Sequence, residues 1–193
     1  MTLKQTFHNI KTDYLAHSKL MNIKLSFGKF LFLFLSPSIF ATTLYRISRW
    51  FYLKGLRPIA WLLWQISTYL TGVDIVPTAE IGESFYLGHP VGSVISGKLG
   101  SNVMIFGQAA IGGTFSQEDV GGGPGLPMIG DHVIIGIRSC VLGPITIGNY
   151  CVIGAMSYVN RPMPENSTAL GNPCKIISGT KAHEAIETIL NEH

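Results

Sequence analysis

A period of six residues runs through residues 73–177 and constrains the fold of the chain more than any other feature. Aliphatic residues recur at every sixth position in three stretches: Ile75, Ile81, Leu87; Leu99, Ile105, Ile111; and Ile129, Ile135, Val141, Ile147, Ile153, Val159. A helix repeats every 3.6 residues and an alternating strand every two, so neither explains this spacing. Stacked coils explain it, because each coil turns its aliphatic side chains inward and buries them in columns. We therefore predict a parallel β-helix of short strands joined by corners.

Two further positions of the repeat are restricted. A small or apolar residue stands four positions after the aliphatic one in these cases: Ala79, Val103, Ala109, Val133, Ser139, Ile145, Cys151 and Ser157. A glycine follows the aliphatic residue in most repeats, and we expect it to let the chain turn tightly. Cys151 is then a core residue. Three cysteines without paired spacing predict a reducing compartment, and we expect no metal site, since no metal-ligand spacing is present.

The first 72 residues differ from the repeats in charge and hydropathy. Residues 1–57 hold nine Lys or Arg and one acid, whereas residues 58–193 hold five basic and ten acidic residues. Two uncharged stretches, residues 30–45 and 58–71, fall short of the roughly 20 residues that span a bilayer. Ser36 and Pro37 predict a helix start there, with the helix continuing to about residue 54. We expect weak order or a short helix in residues 1–27.

Two interpretations of this region stay open. Its helices could lie at an anionic membrane surface at the cytoplasmic face, with aromatic side chains at headgroup level. They could instead form a cap buried on the solenoid or between subunits. No signal peptide and no nucleic-acid reading motif is recognisable. The predicted organisation is a basic, apolar helical region at 1–72, a β-helix at 73–179 and a C-terminal helix at 180–193, which we expect to cover the open end of the solenoid.

The repeat is interrupted twice, and insertions in a solenoid gather on a binding face. The first interruption, residues 88–93, contains His89. The second, residues 112–128, is a glycine-rich loop of seventeen residues, a length that is usually functional. His132 lies within a regular repeat, and we expect its side chain to be exposed.

Three segments carry a resemblance to a known family. VDIVPTAEIGESFYLGHPVG at 73–92, IFGQAAIGGT at 105–114 and ALGNPCKII at 169–177 resemble serine acetyltransferase, one of the hexapeptide-repeat acyltransferases. The resemblance implies a left-handed parallel β-helix, a homotrimer and acetyl-CoA as the acyl donor. It also implies a catalytic dyad, in which His89 is the general base and Asp74 holds its ring. Imidazole suits this chemistry because it titrates near neutral pH. An alternative role for Asp74 is to cap the end of a coil.

The same resemblance suggests where acetyl-CoA binds. Gly112 and Gly113 match the segment against which the pantetheine arm packs, where a side chain would obstruct it. Lys175 matches a basic residue near the nucleotide phosphates, and Arg161 is a further candidate; both could instead be solvated charges. Direct attack by the acceptor needs no covalent acyl-enzyme.

The chain departs from the family where serine is held. The acid that precedes the catalytic His is replaced by Gly88, and Gly125 and Leu126 stand where the family has an Arg-His pair. A zwitterionic acceptor needs charged partners. We therefore predict O-acetylation of a sugar or glycan acceptor in polysaccharide biosynthesis. The alternatives are a serine acetyltransferase with an altered acceptor pocket and a non-catalytic trimeric scaffold.

Overall fold

The computed structural model describes residues 1–23 and 35–191. Part of the first apolar stretch, residues 30–34, lies outside the described residues, as do Lys24 and Lys29. The helices within them are α1 (Leu3–Leu20), α2 (Pro37–Leu53), α3 (Arg57–Thr71) and α4 (Ala182–Asn191). Between α3 and α4 the chain winds through short strands that form three sheets, which we call the first, second and third faces.

Each coil contributes one strand to each face in turn. The first face contains β1 (Asp74–Ile75), β4 (Val94–Ile95), β7 (Ala110–Gly112), β10 (Cys140–Leu142) and β13 (Tyr158–Val159). The second face contains β2 (Glu80–Ile81), β5 (Lys98–Leu99), β8 (Met128–Ile129) and β11 (Thr146–Ile147). The third face contains β3 (Tyr86–Gly88), β6 (Met104–Phe106), β9 (Ile134–Ile135), β12 (Val152–Ile153), β14 (Thr168–Leu170) and β15 (Lys175–Ile177). Neighbouring strands are parallel, apart from β14 and β15. The predicted parallel β-helix is confirmed.

The interior of the coils is the aliphatic lattice that the sequence predicts. All twelve periodic aliphatic residues are buried, with at most 4% of their surface exposed. They stack in register, so that Ile129 pairs with Leu99 in one neighbouring coil and with Ile147 in the other. The small residues four positions later are buried as well, including Cys151. Burial of this column supplies the hydrophobic stabilisation of the solenoid.

The repeat glycines have a different role from the one expected. A Cβ added to Gly82 would lie 2.5 Å from the carbonyl carbon of Gly100 in the next coil, so the glycine allows two coils to approach closely. The left-handed corner positions are held by other residues. One column of them, at the edge between the third and first faces, consists of His89, Gln108, Arg138 and Met156. A second column, between the second and third faces, consists of Ser84, Asn102, His132, Tyr150 and Asn166.

Helix α1 is longer than expected, and its buried face is polar. The buried residues include Thr6, Asn9, Asp13 and His17, which recur at helical spacing without forming an apolar stripe. Helix α2 begins where the sequence predicts, since the Ser36 hydroxyl accepts a hydrogen bond from the Ile39 N–H and Pro37 is the first helical residue. No described helix combines the length and hydropathy needed to cross a bilayer.

A buried ion pair attaches α1 and α2 to the first coil. Arg46 Nε donates to Asp13 Oδ2 at 2.8 Å and Arg46 Nη2 to Asp13 Oδ1 at 3.0 Å. The same guanidinium donates to the carbonyl oxygens of Ile81 and Gly82. The Asp13 carboxylate also accepts the Phe85 N–H at 2.9 Å. These bonds fix the helices against the coil that leads into His89.

The C-terminal helix α4 lies along the side of the solenoid, so the expected packing on its open end is wrong. The His183 ring contacts the Tyr150 ring edge-on, with centroids 4.5 Å apart. Glu187 lines a small cavity together with Asn102, His132 and Thr12. His132 is half-buried rather than exposed, because its ring stacks on Tyr150 at 4.7 Å. Helix α4 is drawn to this edge by the rings of the second corner column.

Candidate active site

His89 stands at the edge between the third and first faces, one residue after β3. Its backbone is left-handed, with φ of 49°, and its side chain is exposed. The next coil approaches so closely that a Cβ on Gly107 would overlap the His89 carbonyl oxygen. The turn that carries His89 is therefore held against the neighbouring coil, and the exposed imidazole lies at this edge of the solenoid.

Asp74 begins β1, beside the turn that carries His89. The Asp74 N–H donates to the Ser93 carbonyl at 2.9 Å, and the Gly92 N–H donates to the Gly72 carbonyl at 2.8 Å. The fold thus brings the two segments of the predicted dyad together. Their side chains do not form a hydrogen bond within the described part of this single chain; instead, Trp64 Nε1 of α3 donates to Asp74 Oδ1 at 2.8 Å.

A cavity of about 660 Å³ opens in front of His89. One wall is the solenoid edge, with His89, Gln108 and Arg138 from successive coils. The opposite wall is made by the end of α1 and by residues 36–38 at the start of α2. The N-terminal helices therefore do more than cover the first coil, because they complete the compartment that contains the candidate base.

Tyr86 lines the cavity beside Gly88, the position at which the resemblance to serine acetyltransferase implies an acid. A Cβ on Gly88 would lie 2.9 Å from Tyr86 Cε1 and 3.0 Å from Phe106 Cδ1. The Tyr86 ring also contacts the His17 ring, with centroids 4.6 Å apart. The substitution by glycine at this position is thus accompanied by large rings that occupy the space of the missing side chain.

His17 lines the cavity but is itself buried. Its Nδ1 lies 3.0 Å from the Asp13 carbonyl oxygen, and its Nε2 lies 3.2 Å from the Leu87 carbonyl oxygen. Burial lowers the pKa of His17 below 6.5, although both backbone contacts oppose that shift. The neutral tautomer that fits these contacts donates Nδ1–H to the Asp13 carbonyl and accepts the Leu87 N–H on Nε2 at 3.4 Å, so His17 joins α1 to β3.

Gly112 and Gly113 lie at the opposite edge of the first face from His89. A Cβ on Gly112 would meet nothing closer than 3.7 Å, so packing within the chain does not require glycine there. Gly113 is different, because a Cβ would lie 3.1 Å from Leu126 Cδ2.

The loop at residues 113–127 is stabilised by Asp119, whose Oδ1 accepts hydrogen bonds from the N–H groups of Gly121 and Gly123.

Arg161 and Lys175 lie together near the C-terminal end of the solenoid. Arg161 Nη2 donates to the Cys174 carbonyl at 2.8 Å, which places its guanidinium beside Lys175. Both side chains are exposed. Arg161 follows β13, which lies two strands beyond the strand of Gly112 on the first face. The two candidate phosphate-binding cations are thus adjacent to each other and distant from His89 along the solenoid axis.

The sequence reasoning missed several side chains of the cavity. Gln108 and Arg138 follow Ile105 and Ile135 by three residues, and both occupy the column that His89 begins. Counting repeat positions would have identified them, because residues at one corner position share one edge. Trp64 and His17 had no such signal, since their positions depend on how the helices return to the first coil.

Comparison with known proteins gives the following relationships. The family model described as bacterial transferase hexapeptide (six repeats) matches residues 127–161. The serine acetyltransferase of Helicobacter pylori is 33% identical over 148 residues, which cover 76% of this chain and 84% of that protein. The serine acetyltransferase of Mycobacterium tuberculosis is 35% identical over 147 residues, which cover 75% of this chain and 62% of that protein. The chain spans about three fifths of the length of the first curated relatives that it matches.

Solved structures agree with this similarity. The serine acetyltransferase of Neisseria gonorrhoeae superposes with a TM-score of 0.81 at 30% identity, covering 92% of this chain and 68% of that one. The structure of the same enzyme in complex with serine superposes with a TM-score of 0.79 at 31% identity, covering 89% of this chain and 69% of that one.

The predicted glycan acceptor is wrong. The curated relatives reported above are serine acetyltransferases, and one of the similar structures contains serine. The prediction rested on the missing charged residues at Gly88 and in the loop. It did not include Arg138, which supplies a cation to the same cavity from another coil.

Proposed function

This chain belongs to the serine acetyltransferase family of hexapeptide-repeat transferases, and from that membership we propose that it is an acetyl-CoA-dependent O-acetyltransferase that acts on serine. The observation that carries the proposal is the placement of His89 at the mouth of a 660 Å³ cavity, beside the segment of Asp74. The cavity is large enough for a small acceptor, and it differs from the family pattern at the acceptor end.

In the proposed reaction, His89 takes the proton from the acceptor hydroxyl as the oxygen attacks the thioester carbonyl carbon. A tetrahedral intermediate forms, and its collapse breaks the carbon–sulfur bond. The protonated imidazole then returns the proton to the departing CoA sulfur. The products are the O-acetylated acceptor and free CoA, and no acyl-enzyme is formed.

Asp74 acts as a positioning residue for the His89 ring in this proposal. Its Oδ1 accepts the Trp64 indole N–H, which leaves Oδ2 for the imidazole. A carboxylate on one ring nitrogen fixes the tautomer and stabilises the imidazolium that forms during the reaction. Helix α3 would therefore contribute to catalysis indirectly, by holding the carboxylate in one orientation.

We further propose a homotrimer in which the donor site and the base come from neighbouring subunits. Within one chain, the His89 edge and the Gly112 edge are the two borders of the first face, about 15 Å apart by strand geometry. A single site that uses both needs a second copy to bring one edge against the other. Packing within the chain does not require glycine at position 112. In the trimer, Gly112 would face the pantetheine arm, and Arg161 and Lys175 would face the phosphates.

A peripheral position at an anionic membrane surface, at the cytoplasmic face, is also proposed. It is supported by the outer face of α3, where Leu62, Tyr69 and Leu70 are exposed by 60%, 85% and 68%. The exposed cations Lys54 and Arg57 stand at the start of this helix. Apolar side chains next to cations suit an interface between headgroups and acyl chains.

The test is release of CoA thiol from acetyl-CoA in the presence of L-serine, with the wild type and His89→Ala compared. We expect His89→Ala to lower kcat by about 10² or more, as loss of a general base does. The trimer mass and the affinity for CoA should remain unchanged. Equal turnover in the two proteins would remove His89 as the base. A folded wild-type trimer that neither binds CoA nor releases thiol would instead be a scaffold.

A further inference from the structure

The cavity in front of His89 is lined by permanent charge of positive sign. Among the described residues that line it, Arg138 carries a permanent charge, and no Asp or Glu is present. Arg138 is exposed to the cavity at the corner of its coil, with φ of 58°. A cation without a counter-charge in a concave site is suited to bind an anionic group of a ligand.

A neighbouring side chain sets the direction of this cation. Arg138 Nε donates to Gln108 Oε1 at 2.6 Å. Gln108 belongs to the preceding coil, so this bond draws the guanidinium towards the level of Gln108. Nη1 and Nη2 make no hydrogen bond or ion pair to the rest of the described chain. Two N–H groups on one side of a planar fork are the geometry that binds a carboxylate with two parallel hydrogen bonds.

The spacing of the column matches a small hydroxy acid. His89, Gln108 and Arg138 come from three successive coils, and adjacent coils are about 4.8 Å apart. The guanidinium, drawn to the Gln108 level, is thus about one coil spacing from the level of His89. A three-carbon acceptor can place its hydroxyl at the imidazole and its carboxylate at the guanidinium across that distance.

We propose that Arg138, oriented by Gln108, binds the carboxylate of the acceptor and replaces the charged pair that Gly125 and Leu126 do not supply. The inference rests on the proposed acetyl transfer to serine, and it specifies how the acceptor is recognised. The described residues that line the cavity include no acid for an ammonium group, and the rings of Tyr86 and Phe106 fill the space beside Gly88. The substrate class is therefore small 3-hydroxy carboxylates, for which the amino group of serine is dispensable.

The experiment compares three acceptors: L-serine, 3-hydroxypropanoate and L-serinamide, which lacks the carboxylate. We expect Arg138→Ala to raise KM for L-serine and for 3-hydroxypropanoate at least about tenfold while kcat changes little, because the carboxylate contact is made before the chemical step. KM for L-serinamide should not change. Arg138→Lys should recover part of the loss, since an ammonium keeps the charge but not the fork. Lys181→Ala, at an exposed cation of the C-terminal segment, is the matched control.

A binding measurement separates this inference from the proposed activity. Calorimetric titration of the CoA-loaded protein with 3-hydroxypropanoate should show binding to the wild type and a loss of at least about tenfold in Arg138→Ala. If that loss occurs but no acceptor is acetylated, the carboxylate site stands and the proposed function fails. If serine is acetylated with the same KM in both proteins, the proposed function stands and the carboxylate site is overturned. Absence of binding to the wild type also overturns the site.

Discussion

Arg46 is the most deeply enclosed cation among the described residues, with 1% of its side chain exposed. Burial by itself lowers the pKa of Arg46, but the adjacent Asp13 carboxylate outweighs that effect and holds the pKa above its ordinary value. The guanidinium therefore stays charged, and its hydrogen bonds join α2 to α1 and to the first coil. Removal of either Asp13 or Arg46 alone would destabilise the fold, because the remaining charge would be buried without its partner.

A first prediction concerns this pair. Arg46→Leu should lower the free energy of unfolding by about 3–5 kcal/mol, because the Asp13 carboxylate would remain buried without its partner. Chemical denaturation at fixed protein concentration measures the change. The double variant Arg46→Leu with Asp13→Leu should lose less than the single variant.

The matched control is Lys98→Ala at the exposed contact with Glu80, where the side chains are 46% and 56% exposed. Surface pairs of this kind contribute at most about 1 kcal/mol. If Arg46→Leu were as mild as Lys98→Ala, the ion pair would not be what attaches the helices.

A second prediction concerns pH. His17 is neutral in the folded chain because burial lowers its pKa, whereas in the unfolded chain it takes up a proton below about pH 6.5. Its contribution to stability is therefore complete above about pH 6.5 and is lost as the pH falls from there towards the lower folded-state pKa. Between about pH 7.5 and about pH 5.5 the free energy of unfolding should fall more steeply for the wild type than for His17→Gln.

Parallel curves for the two proteins over that range would show that His17 does not titrate differently in the folded and unfolded states.

Individual residues also show how much of the structure could be predicted from the sequence alone. The twelve periodic aliphatic positions were predictable, because a fixed period carries the information within a few neighbouring residues. The bond of Arg46 to Asp13 joins positions 33 residues apart, and no local pattern encodes that separation. The same limit applies to Trp64, whose bond to Asp74 depends on the return of α3 to the first strand.

At the scale of elements, the polar face of α1 explains why the length of that helix was not predicted. Its buried side chains are hydrogen-bonding groups matched to the first coil, so the apolar periodicity that identifies a core-facing helix is absent. Helix α2 was predictable because its start depends on two adjacent residues, Ser36 and Pro37. Helix α4 was predictable as an amphipathic helix, but not its location, since the rings that hold it belong to separate coils.

A third prediction tests the outer face of α3. Leu62→Glu with Leu70→Glu should abolish co-sedimentation with vesicles containing anionic phosphatidylserine, because both side chains are exposed and a carboxylate is repelled at that surface. Thermal stability should be nearly unchanged, as surface substitutions usually are. Binding of the wild type should weaken as salt is added.

The control for that experiment is Gln65→Glu, which adds an acid at an exposed position of the same helix without removing an apolar side chain. If the wild type does not bind these vesicles but light scattering shows that trimers pair through α3, the face is a protein interface. That result would contradict the membrane proposal.

At the scale of the whole molecule, the proposed site needs two copies of the chain. His89 and Gly112 border the same face, so each copy offers one half of a site at each edge. A closed ring of three copies then contains three identical sites. A site shared between two subunits leads to a fourth prediction, which a site contained within one chain would not fulfil.

Two inactive variants should complement each other. His89→Ala lacks the proposed base. Gly112→Trp should block the proposed donor groove while leaving His89 intact, because a Cβ at Gly112 has space within its own chain. After the two proteins are unfolded together at equal amounts and refolded, about a quarter of the sites should combine an intact His89 with an intact Gly112. Thiol release should recover to about that fraction of the wild-type rate.

Separately refolded proteins, mixed afterwards, serve as the control and should remain inactive if subunits exchange slowly. Complete inactivity of the co-refolded sample, with mixed trimers shown by mass spectrometry, would place the base and the donor groove in one chain. The shared site would then be wrong.

The left-handed corners have a consequence for how proteins with this solenoid diversify. His89, Gln108, Arg138 and Met156 hold the same backbone conformation although their side chains share little chemistry. The ladder of neighbouring coils, rather than the identity of the residue, maintains that conformation. A single codon change at one corner can therefore replace a group that lines the cavity in front of His89 without disturbing the solenoid. If the cavity binds the acceptor as proposed, acceptor preference can evolve by such steps, each nearly neutral for folding.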